Sequence, residues 1–281
     1  MTEHWVQCIW QVSGKHLIKY DFRLKVYIMK DNNLFHGFKC EEFEFENTTG
    51  IVVFPNLNSN EKVVFKTEYW DAFPELEIEL LKRGFHLVHV KNETRLANKN
   101  NCDLKARFIQ YVSEKYKLDC KCVLVGMSCG GAQAINFAAF YPELVSCLVI
   151  DAPVVNFLDF PGKYNKYESI WEKEFTKAYP NVKRSDIFTL KENPINNVPK
   201  LIEKRLPIIM LYGTEDMTVD YFSNGKLLEE AYSENMELLT IIPRNFQGHH
   251  PHGLLDKSDK LAELIMTKLL NGKDKYYEIT F

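Results

Sequence analysis

The sequence lacks any apolar run long enough to cross a lipid bilayer. Its longest runs, such as Cys147–Ile150, are far shorter than the roughly 20 residues that a membrane helix requires. It also lacks an excess of charge of either sign, because 35 Lys and Arg residues face 38 Asp and Glu residues and the net charge is -3. Since this balance implies no basic surface, we expect neither nucleic acid nor a membrane as a partner.

A secretory signal is missing from the first seven residues, where no basic segment precedes an apolar stretch. The cysteines number seven and are irregularly spaced, which is typical of reduced thiols and not of a disulfide framework. Cys120 and Cys122 have no second pair beside them, so they do not predict a zinc site. Together these features predict a cytoplasmic protein.

A linker, an internal repeat and a low-complexity tract are also absent from the 281 residues. The composition, with 46% hydrophobic and 26% charged residues, is that of an ordinary soluble protein that can bury a full core. We therefore predict a single domain that spans residues 1–281.

What the sequence does contain is a change of rhythm near Ile51. Before it, alternating residues predict half-exposed strands at 5–12, 24–29 and 43–46, which would form an antiparallel edge. After it, short apolar strands alternate with helical patterns, which predicts an α/β fold with a doubly wound, mostly parallel sheet. The predicted strands are 51–54, 62–65, 85–90, 122–125, 148–150, 207–212 and 238–242. The predicted helices are 71–82, one with Asp103 as its N-cap, one directly after Ser128, 226–232 and 260–270.

The strand rhythm lapses between Val154 and Lys204, and this segment predicts a helical cap inserted over the sheet. The insert follows the carboxyl end of a strand, where α/β folds place their ligands. Tyr164, Tyr167 and Trp171 have three- and four-residue spacing, which puts them on one helical face. That face either packs on the sheet or contacts substrate, and both alternatives stay open, with Trp171 as the candidate contact.

The five residues from Gly126 to Gly130 match the pattern G-x-S-x-G. An apolar strand comes directly before them and a small-residue helix directly after, which is the context of a nucleophile elbow. In such an elbow the serine occupies a strained turn that glycine neighbours permit, and the helix N-terminus favours developing negative charge. Ser128 is therefore the predicted nucleophile, with simple helix capping as its alternative.

Three of the eight histidines, His249, His250 and His252, lie together on a loop after the last predicted strand. The base belongs there, since the chain order of this arrangement is nucleophile, acid, base. His249 directly follows Gly248 and is the predicted base, with His250 as second choice. A metal site is the alternative for the cluster, but no Asp or Cys joins it at ligand spacing, so we expect no metal.

Asp216 is the predicted acid because it closes a turn that follows the penultimate strand. In that place it would hold the histidine tautomer and stabilise the imidazolium. The alternatives are Glu215 and Asp220 nearby and Asp151 at the end of the 148–150 strand. A structural reading also exists, because aspartate in a turn often bonds the local backbone.

An oxyanion hole needs two hydrogen-bond donors, which are usually backbone amides. The first predicted donor is the amide of Cys129, the residue after the nucleophile. The second comes from the loop after the 62–65 strand, at Thr67 or Glu68, although no H-G-G-G segment occurs there. The thiol of Cys129 is interpreted as a bystander beside Ser128.

With these motifs the sequence resembles the bacterial α/β-hydrolases related to the prolyl-oligopeptidase and acetyl-ester hydrolase families, many of them linked to carbohydrate ester cleavage. The likeness covers roughly residues 51–264. It rests on residues 52–55, 65–69, 83–86, 126–131, 151–154, 161–162, 193–194, 213–216 and 249–253. It implies the α/β-hydrolase fold and places Ser128, Asp216 and His249 at the triad positions.

Two positions depart from that family, whose members usually carry arginine where Cys129 and Lys66 stand here. If those arginines grip the substrate, the substrate of this chain differs. Lys66 and His250 are accordingly candidate substrate contacts, beside Trp171 of the cap.

The resulting hypothesis is a serine hydrolase that cleaves carboxylic esters, small or carbohydrate-linked, through an acyl-enzyme and without a cofactor. A peptidase or an acyltransferase on the same triad is one alternative, because a fold does not decide function. A catalytically silent binding protein is the other. A small-molecule ester is the expected partner, and the oligomeric state stays open.

Overall fold

A computed structural model describes residues 34–159 and 168–270 of the chain. The strands predicted at 5–12 and 24–29, together with Tyr164 and Tyr167 of the cap, lie outside the described residues. The prediction of a single domain over residues 1–281 stays a prediction.

The described residues form a nine-stranded sheet in the order β1-β2-β3-β5-β4-β6-β7-β8-β9. Its strands are β1 Leu34–Phe35, β2 Phe38–Phe45, β3 Thr48–Val53, β4 Val63–Lys66, β5 His86–Val90, β6 Cys122–Met127, β7 Val145–Asp151, β8 Ile208–Gly213 and β9 Leu239–Arg244. The strand pairs β1–β2, β2–β3 and β3–β5 are antiparallel. The pairs β5–β4, β4–β6, β6–β7, β7–β8 and β8–β9 are parallel. The predicted doubly wound, mostly parallel sheet with an antiparallel N-terminal edge is therefore confirmed.

The described residues also form seven α-helices. They are α1 Glu75–Lys82, α2 Lys99–Tyr116, α3 Cys129–Phe140, α4 Glu168–Ala178, α5 Val198–Glu203, α6 Gly225–Ala231 and α7 Ser258–Leu270. Within this part of the chain, none combines the length and the apolar character that crossing a bilayer demands.

Helices cover both faces of the sheet. On one face, Leu124 of β6 joins a cluster with Phe108 of α2 and Phe137 of α3. On the other face, Val125 joins a cluster with Leu80 of α1 and Leu261 of α7. Neighbouring residues of β6 enter different cores because successive side chains of a strand point to opposite faces. Burial on both faces explains why these strands read as continuous apolar runs.

Two helices begin four or more residues away from their predicted starts. Helix α1 begins at Glu75 and not at residue 71, because Tyr69, Asp71 and Phe73 all have positive φ angles, of 55°, 60° and 49°, which no α-helix accepts. Helix α2 begins four residues before Asp103, because Asn98 is its N-cap.

The side chain of Asn98 accepts a hydrogen bond from the amide of Asn101 at 2.9 Å, the usual bond of a helix cap. Asp103 lies inside the helix, where it accepts hydrogen bonds from Lys99 and Tyr141.

The part of the 154–204 segment that the structure describes contains helices and 3-10 turns and no strand. Trp171 and Phe175 of α4 pack with Phe157 in a buried cluster that also contains Cys129 and Ala132 of α3. Trp171 exposes only 5% of its surface. The geometry therefore favours the packing alternative for this aromatic face, and it places the segment directly against the residue that follows Ser128.

Candidate active site

The three residues predicted for the triad follow three strands that run in the same direction. Ser128 comes directly after β6, Asp216 follows β8 and His249 follows β9. Because β6, β7, β8 and β9 are neighbouring parallel strands, their carboxyl ends share one edge of the sheet. Residues far apart in sequence are therefore gathered at the edge where such sheets bind ligands.

Ser128 has a strained backbone, with φ 53° and ψ -120°, a conformation that residues other than glycine rarely adopt. Its amide donates to the carbonyl of Asp151 at 2.9 Å, and its carbonyl accepts from Gly131 and Val154 at 3.0 Å each. Helix α3 begins at the next residue. Strain of this kind persists only where the surroundings over-determine it, and it concentrates at functional sites.

Glycines make this turn possible by allowing backbones to approach closely. A Cβ atom on Gly126 would lie 2.2 Å from the carbonyl oxygen of Gly130, and one on Gly131 would lie 2.4 Å from the Cβ of Pro153. Since real Cβ contacts are never this short, a side chain at either glycine would push α3 away from the strands beneath it.

Asp216 and His249 form a hydrogen-bonded pair, with 2.7 Å between His249 Nδ1 and Asp216 Oδ2. The other carboxylate oxygen accepts from the amides of Thr218 and Val219 at 2.8 and 2.9 Å. Burial opposes the charged carboxylate, but these hydrogen bonds outweigh it and hold the pKa of Asp216 below its ordinary value. A carboxylate only accepts, so the ring proton lies on Nδ1 and the lone pair of His249 on Nε2.

The loop that carries His249 is tied to the loop that carries Asp216. The amide of Glu215 donates to the carbonyl of Gln247 at 2.9 Å, and the amide of Phe246 donates to Thr214 Oγ1 at 2.8 Å. A Cβ atom on Gly213 would lie 2.3 Å from the carbonyl oxygen of Gly248. The two loops therefore hold one fixed relation, which keeps the acid and the imidazole together.

Asp151, a rival for the role of acid, has a different position in the structure. Its Oδ1 accepts from Arg244 at 2.9 Å, and its Oδ2 accepts from the amide of Gly253 at 2.6 Å. His252 Nδ1 lies 3.4 Å from the same Oδ2, longer than a good hydrogen bond. Through these bonds Asp151, at the end of β7, holds Arg244 of β9 and the residues that follow His250 in the histidine loop. Arg244 was not predicted to take part in the site, because its position at the end of a strand carries no signal in the sequence.

One predicted oxyanion donor is corrected by the structure. The amide of Thr67 donates to the carbonyl of Val125 at 2.9 Å, so it is already committed to the β4–β6 ladder. Its hydroxyl donates to the carbonyls of Val125 and Gly130. Of the two residues predicted for the second donor, only Glu68 therefore keeps an amide as a candidate. The amide of Cys129, first in α3, stays the other predicted donor.

Lys66 lies in the interior and exposes 2% of its surface. Its Nζ donates to Glu77 Oε1 at 2.5 Å and to the carbonyl of Ala72 at 3.1 Å. It thereby joins β4 to α1 and to the strained loop at 69–73. The predicted substrate contact of Lys66 stays a prediction, and this geometry favours a structural role.

His250, a candidate substrate contact, and Cys129, a candidate oxyanion donor, differ in exposure. His250 is exposed and stacks on Phe73 with 5.5 Å between ring centroids and 14° between planes. Cys129 is buried, and burial raises the pKa of its thiol to about 11. A thiol with such a pKa is protonated at neutral pH and a poor nucleophile, which agrees with its interpretation as a bystander.

A buried polar network beneath the elbow was not predicted. Lys105 Nζ donates to Asn92 and, at 2.9 Å, to Gln133 Oε1. Asn92 donates in turn to Glu68 and to the carbonyl of Thr67. Burial raises the pKa of Glu68 and lowers that of Lys105 to about 8. A signal was available, because Lys105 falls on the apolar stripe of α2, three residues after Cys102.

The chain is similar to known proteins in sequence and in fold. The family model described as "Putative esterase" matches residues 83–252, a range that contains Ser128, Asp216 and His249. No curated protein matches the chain significantly.

Two solved structures are similar to the chain. Acylaminoacyl peptidase of Pyrococcus horikoshii has a TM-score of 0.64 and 14% identity, covering 87% of this chain and 43% of its own. Dipeptidyl peptidase 4 of Porphyromonas gingivalis has a TM-score of 0.61 and 12% identity, covering 82% of this chain and 35% of its own. The chain thus spans less than half the length of either protein. At such identities the likeness concerns the fold alone, and it confirms the α/β-hydrolase fold.

Proposed function

Because the chain belongs to the Esterase family, we propose that it is a serine hydrolase of carboxylic esters, small or carbohydrate-linked. One observation carries the proposal: the hydrogen-bonded pair of Asp216 and His249 lies on the same sheet edge as the strained Ser128. A nucleophile, a base and an orienting acid in this chain order are the parts of a serine hydrolase.

In the proposed reaction, Ser128 Oγ attacks the ester carbonyl while His249 Nε2 takes the hydroxyl proton. The carbonyl electron pair moves to the oxygen, and the amides of Cys129 and Glu68 stabilise the resulting oxyanion. When the carbonyl reforms, the alcohol leaves with the proton from His249 and the acyl group stays on Ser128. Water then attacks the acyl-enzyme by the same steps and releases the acid. Asp216 stays ionised and orients the imidazole throughout.

Apolar side chains near the acid and the base support an ester with an apolar part. Met217, next to Asp216, is 80% exposed, and Phe246, three residues before His249, is 86% exposed. Single exposed apolar side chains are common on protein surfaces, but these two flank the acid and the base at the sheet edge where α/β folds bind ligands. We propose that they contact the acyl or alcohol portion of the substrate.

A peptidase is the alternative that the similar solved structures bring forward, since both are peptidases by name. The same triad cleaves amides and esters, and the difference lies in protonation of the leaving amine. A panel of p-nitrophenyl esters beside peptide p-nitroanilides separates the two activities. Hydrolysis of the esters at a kcat/KM far above that of the anilides is the expected result.

The nucleophile is tested with a fluorophosphonate probe that labels activated serines. We expect one label per chain on Ser128, and loss of both label and ester hydrolysis in Ser128→Ala, by about five to six orders of magnitude in kcat. Ser185→Ala is the matched control, because Ser185 lies exposed in a 3-10 turn. Labelling or hydrolysis that survives in Ser128→Ala at the wild-type rate would refute the assignment.

We also propose that the protein is cytoplasmic. The proposal is supported by six cysteines of the described residues, all of which have free thiols, as is usual in a reducing compartment. Folded protein that lost activity on treatment with a reductant would argue against it.

A further inference from the structure

His249, His250 and His252 form a compact cluster in space as well as in sequence. One ring nitrogen of each lies within 4.8 Å of a ring nitrogen of the other two. Their ring centroids are 4.8, 4.8 and 5.0 Å apart, and the rings meet edge to face. The ester-hydrolysis proposal uses only His249, so it leaves this arrangement of three imidazoles unexplained.

Two of the three rings face a carboxylate through the same atom. His249 Nδ1 lies 2.7 Å from Asp216, and His252 Nδ1 lies 3.4 Å from Asp151. The hydrogen bond to Asp216 holds the proton of His249 on Nδ1 and leaves the lone pair on Nε2, whereas the contact of His252 is too long for a good hydrogen bond. Metal-binding histidines usually donate their other ring N–H to a carboxylate, a backbone carbonyl or water, because this partner fixes the ring and raises its basicity.

The third ring, His250, lies on the solvent side, whereas His252 exposes 2% of its surface. Phe73 stacks on His250 and meets His252 edge on, with 5.4 Å between centroids. His249 is therefore held in place by Asp216 and His252 by its burial, while the exposed His250 is open to an ion that arrives from solvent.

We propose that His249, His250 and His252 bind one divalent transition-metal ion of the zinc type. Three imidazole nitrogens select such ions over Mg²⁺ and Ca²⁺, which prefer oxygen ligands. Tetrahedral zinc with bonds of about 2.0–2.1 Å needs nitrogens roughly 3.4 Å apart. From separations of up to 4.8 Å, the ring nitrogens therefore approach one another by up to about 1.4 Å, and the exposed His250 makes most of that movement.

A bound ion occupies the lone pair of His249 Nε2, the atom that accepts the Ser128 proton in the proposed reaction. Metal binding therefore switches the hydrolase off, and removal of the ion restores it. This consequence rests on the proposed function, whereas the binding of the ion itself does not.

The test uses the full chain without a histidine tag, stripped of metal with a chelator. Zn²⁺ is titrated by calorimetry, and Co²⁺ by its visible absorption, which is intense for tetrahedral sites. We expect one ion per chain and an affinity at least tenfold weaker in His250→Gln. The exposed position of His250 makes loss of the fold unexpected, and circular dichroism checks this. His36→Gln is the matched control: His36 is also exposed and pairs with Asp71 at 2.6 Å, outside the cluster, so its affinity stays at the wild-type value.

Equal Zn²⁺ affinity in wild type and His250→Gln, or an equal loss in His36→Gln, overturns the site. A chain that hydrolyses esters but binds neither Zn²⁺ nor Co²⁺ in these titrations also overturns the site, and it leaves the proposed function intact. Binding of one ion by a chain that hydrolyses no ester supports the site and refutes the proposed function. If the chain both binds the ion and hydrolyses esters, we expect stoichiometric Zn²⁺ to inhibit hydrolysis and chelation to restore it. Unchanged hydrolysis by the Zn²⁺-loaded protein would refute inhibition by the bound ion.

Discussion

Replacing Asp216 by asparagine tests the acid–base arrangement most sharply, because the structure dictates how the new amide must sit. Asp216 Oδ1 accepts two backbone hydrogen bonds, from Thr218 and Val219, at 2.8 and 2.9 Å. In Asp216→Asn only the amide oxygen can accept these bonds, so the NH₂ group must take the place of Oδ2. That group then faces His249 Nδ1, where two donors would meet.

The imidazole escapes this clash by moving its proton to Nε2. In that tautomer Nε2 has no lone pair, so it cannot accept the proton of Ser128. The same change in a well-known serine protease lowers kcat by about 10⁴. We expect a similar loss here, which corresponds to about 5.4 kcal/mol of transition-state stabilisation at 1.36 kcal/mol per factor of ten.

The assay is the kcat for p-nitrophenyl acetate at neutral pH, with unfolding curves to show that the variant is folded. Glu215→Gln and Asp220→Asn are matched controls, since Glu215 is exposed and Asp220 only caps a turn through the amide of Ser223. Both should keep kcat within a few-fold of wild type. A kcat for Asp216→Asn within tenfold of wild type, or an equal loss in Asp220→Asn, would refute the reasoning.

Three further predictions concern stability. Gly131→Ala should lower the free energy of unfolding by about 1–3 kcal/mol, because its Cβ would lie 2.4 Å from that of Pro153; a melting temperature equal to wild type contradicts this. Trp171→Ala should cost about 3–5 kcal/mol, since the ring is buried, whereas an altered substrate profile at unchanged melting temperature would mean that it contacts substrate. Burial lowers the pKa of Lys105 to about 8. Below pH 8 the buried, charged side chain therefore lowers the free energy of unfolding, and this loss fades as the pH rises toward the ordinary lysine pKa of about 10.4. Wild type should therefore gain unfolding free energy relative to Lys105→Met between pH 8 and 10 in denaturant titrations, and a constant difference would contradict the assignment.

Much of the fold follows from local pattern in the sequence. The runs around Leu124, Val149 and Ile209 are apolar throughout because both faces of a parallel strand are buried. Their alternation with helices predicts the doubly wound sheet, and chain order predicts which loops reach its carboxyl edge. Helix starts were less predictable, because the positive φ angles at Tyr69 and Asp71 follow from the packing of the loop and not from residue type.

In the site, Ser128 was predictable because the elbow is a local object: a strand, a serine between glycines, and a helix within one short segment. The loops of Asp216 and His249 were predictable by position in the chain order. No local pattern states, however, which carboxylate meets which imidazole. Asp151 ends one strand and Asp216 follows another. In the structure Asp151 pairs with Arg244, and Asp216 pairs with His249.

The sequence by itself thus determined the class of fold, the proposed nucleophile and the loops that carry its proposed partners. The tertiary structure alone decided that the Thr67 amide is committed to Val125, and that Lys66 lies buried against Glu77. It also decided how the rings of the three neighbouring histidines are oriented toward one another. The physical reason is the range of the interactions. Hydrophobic periodicity and turn strain act within a few residues and leave a mark in the sequence, whereas a hydrogen bond between distant residues depends on where the packed core brings them.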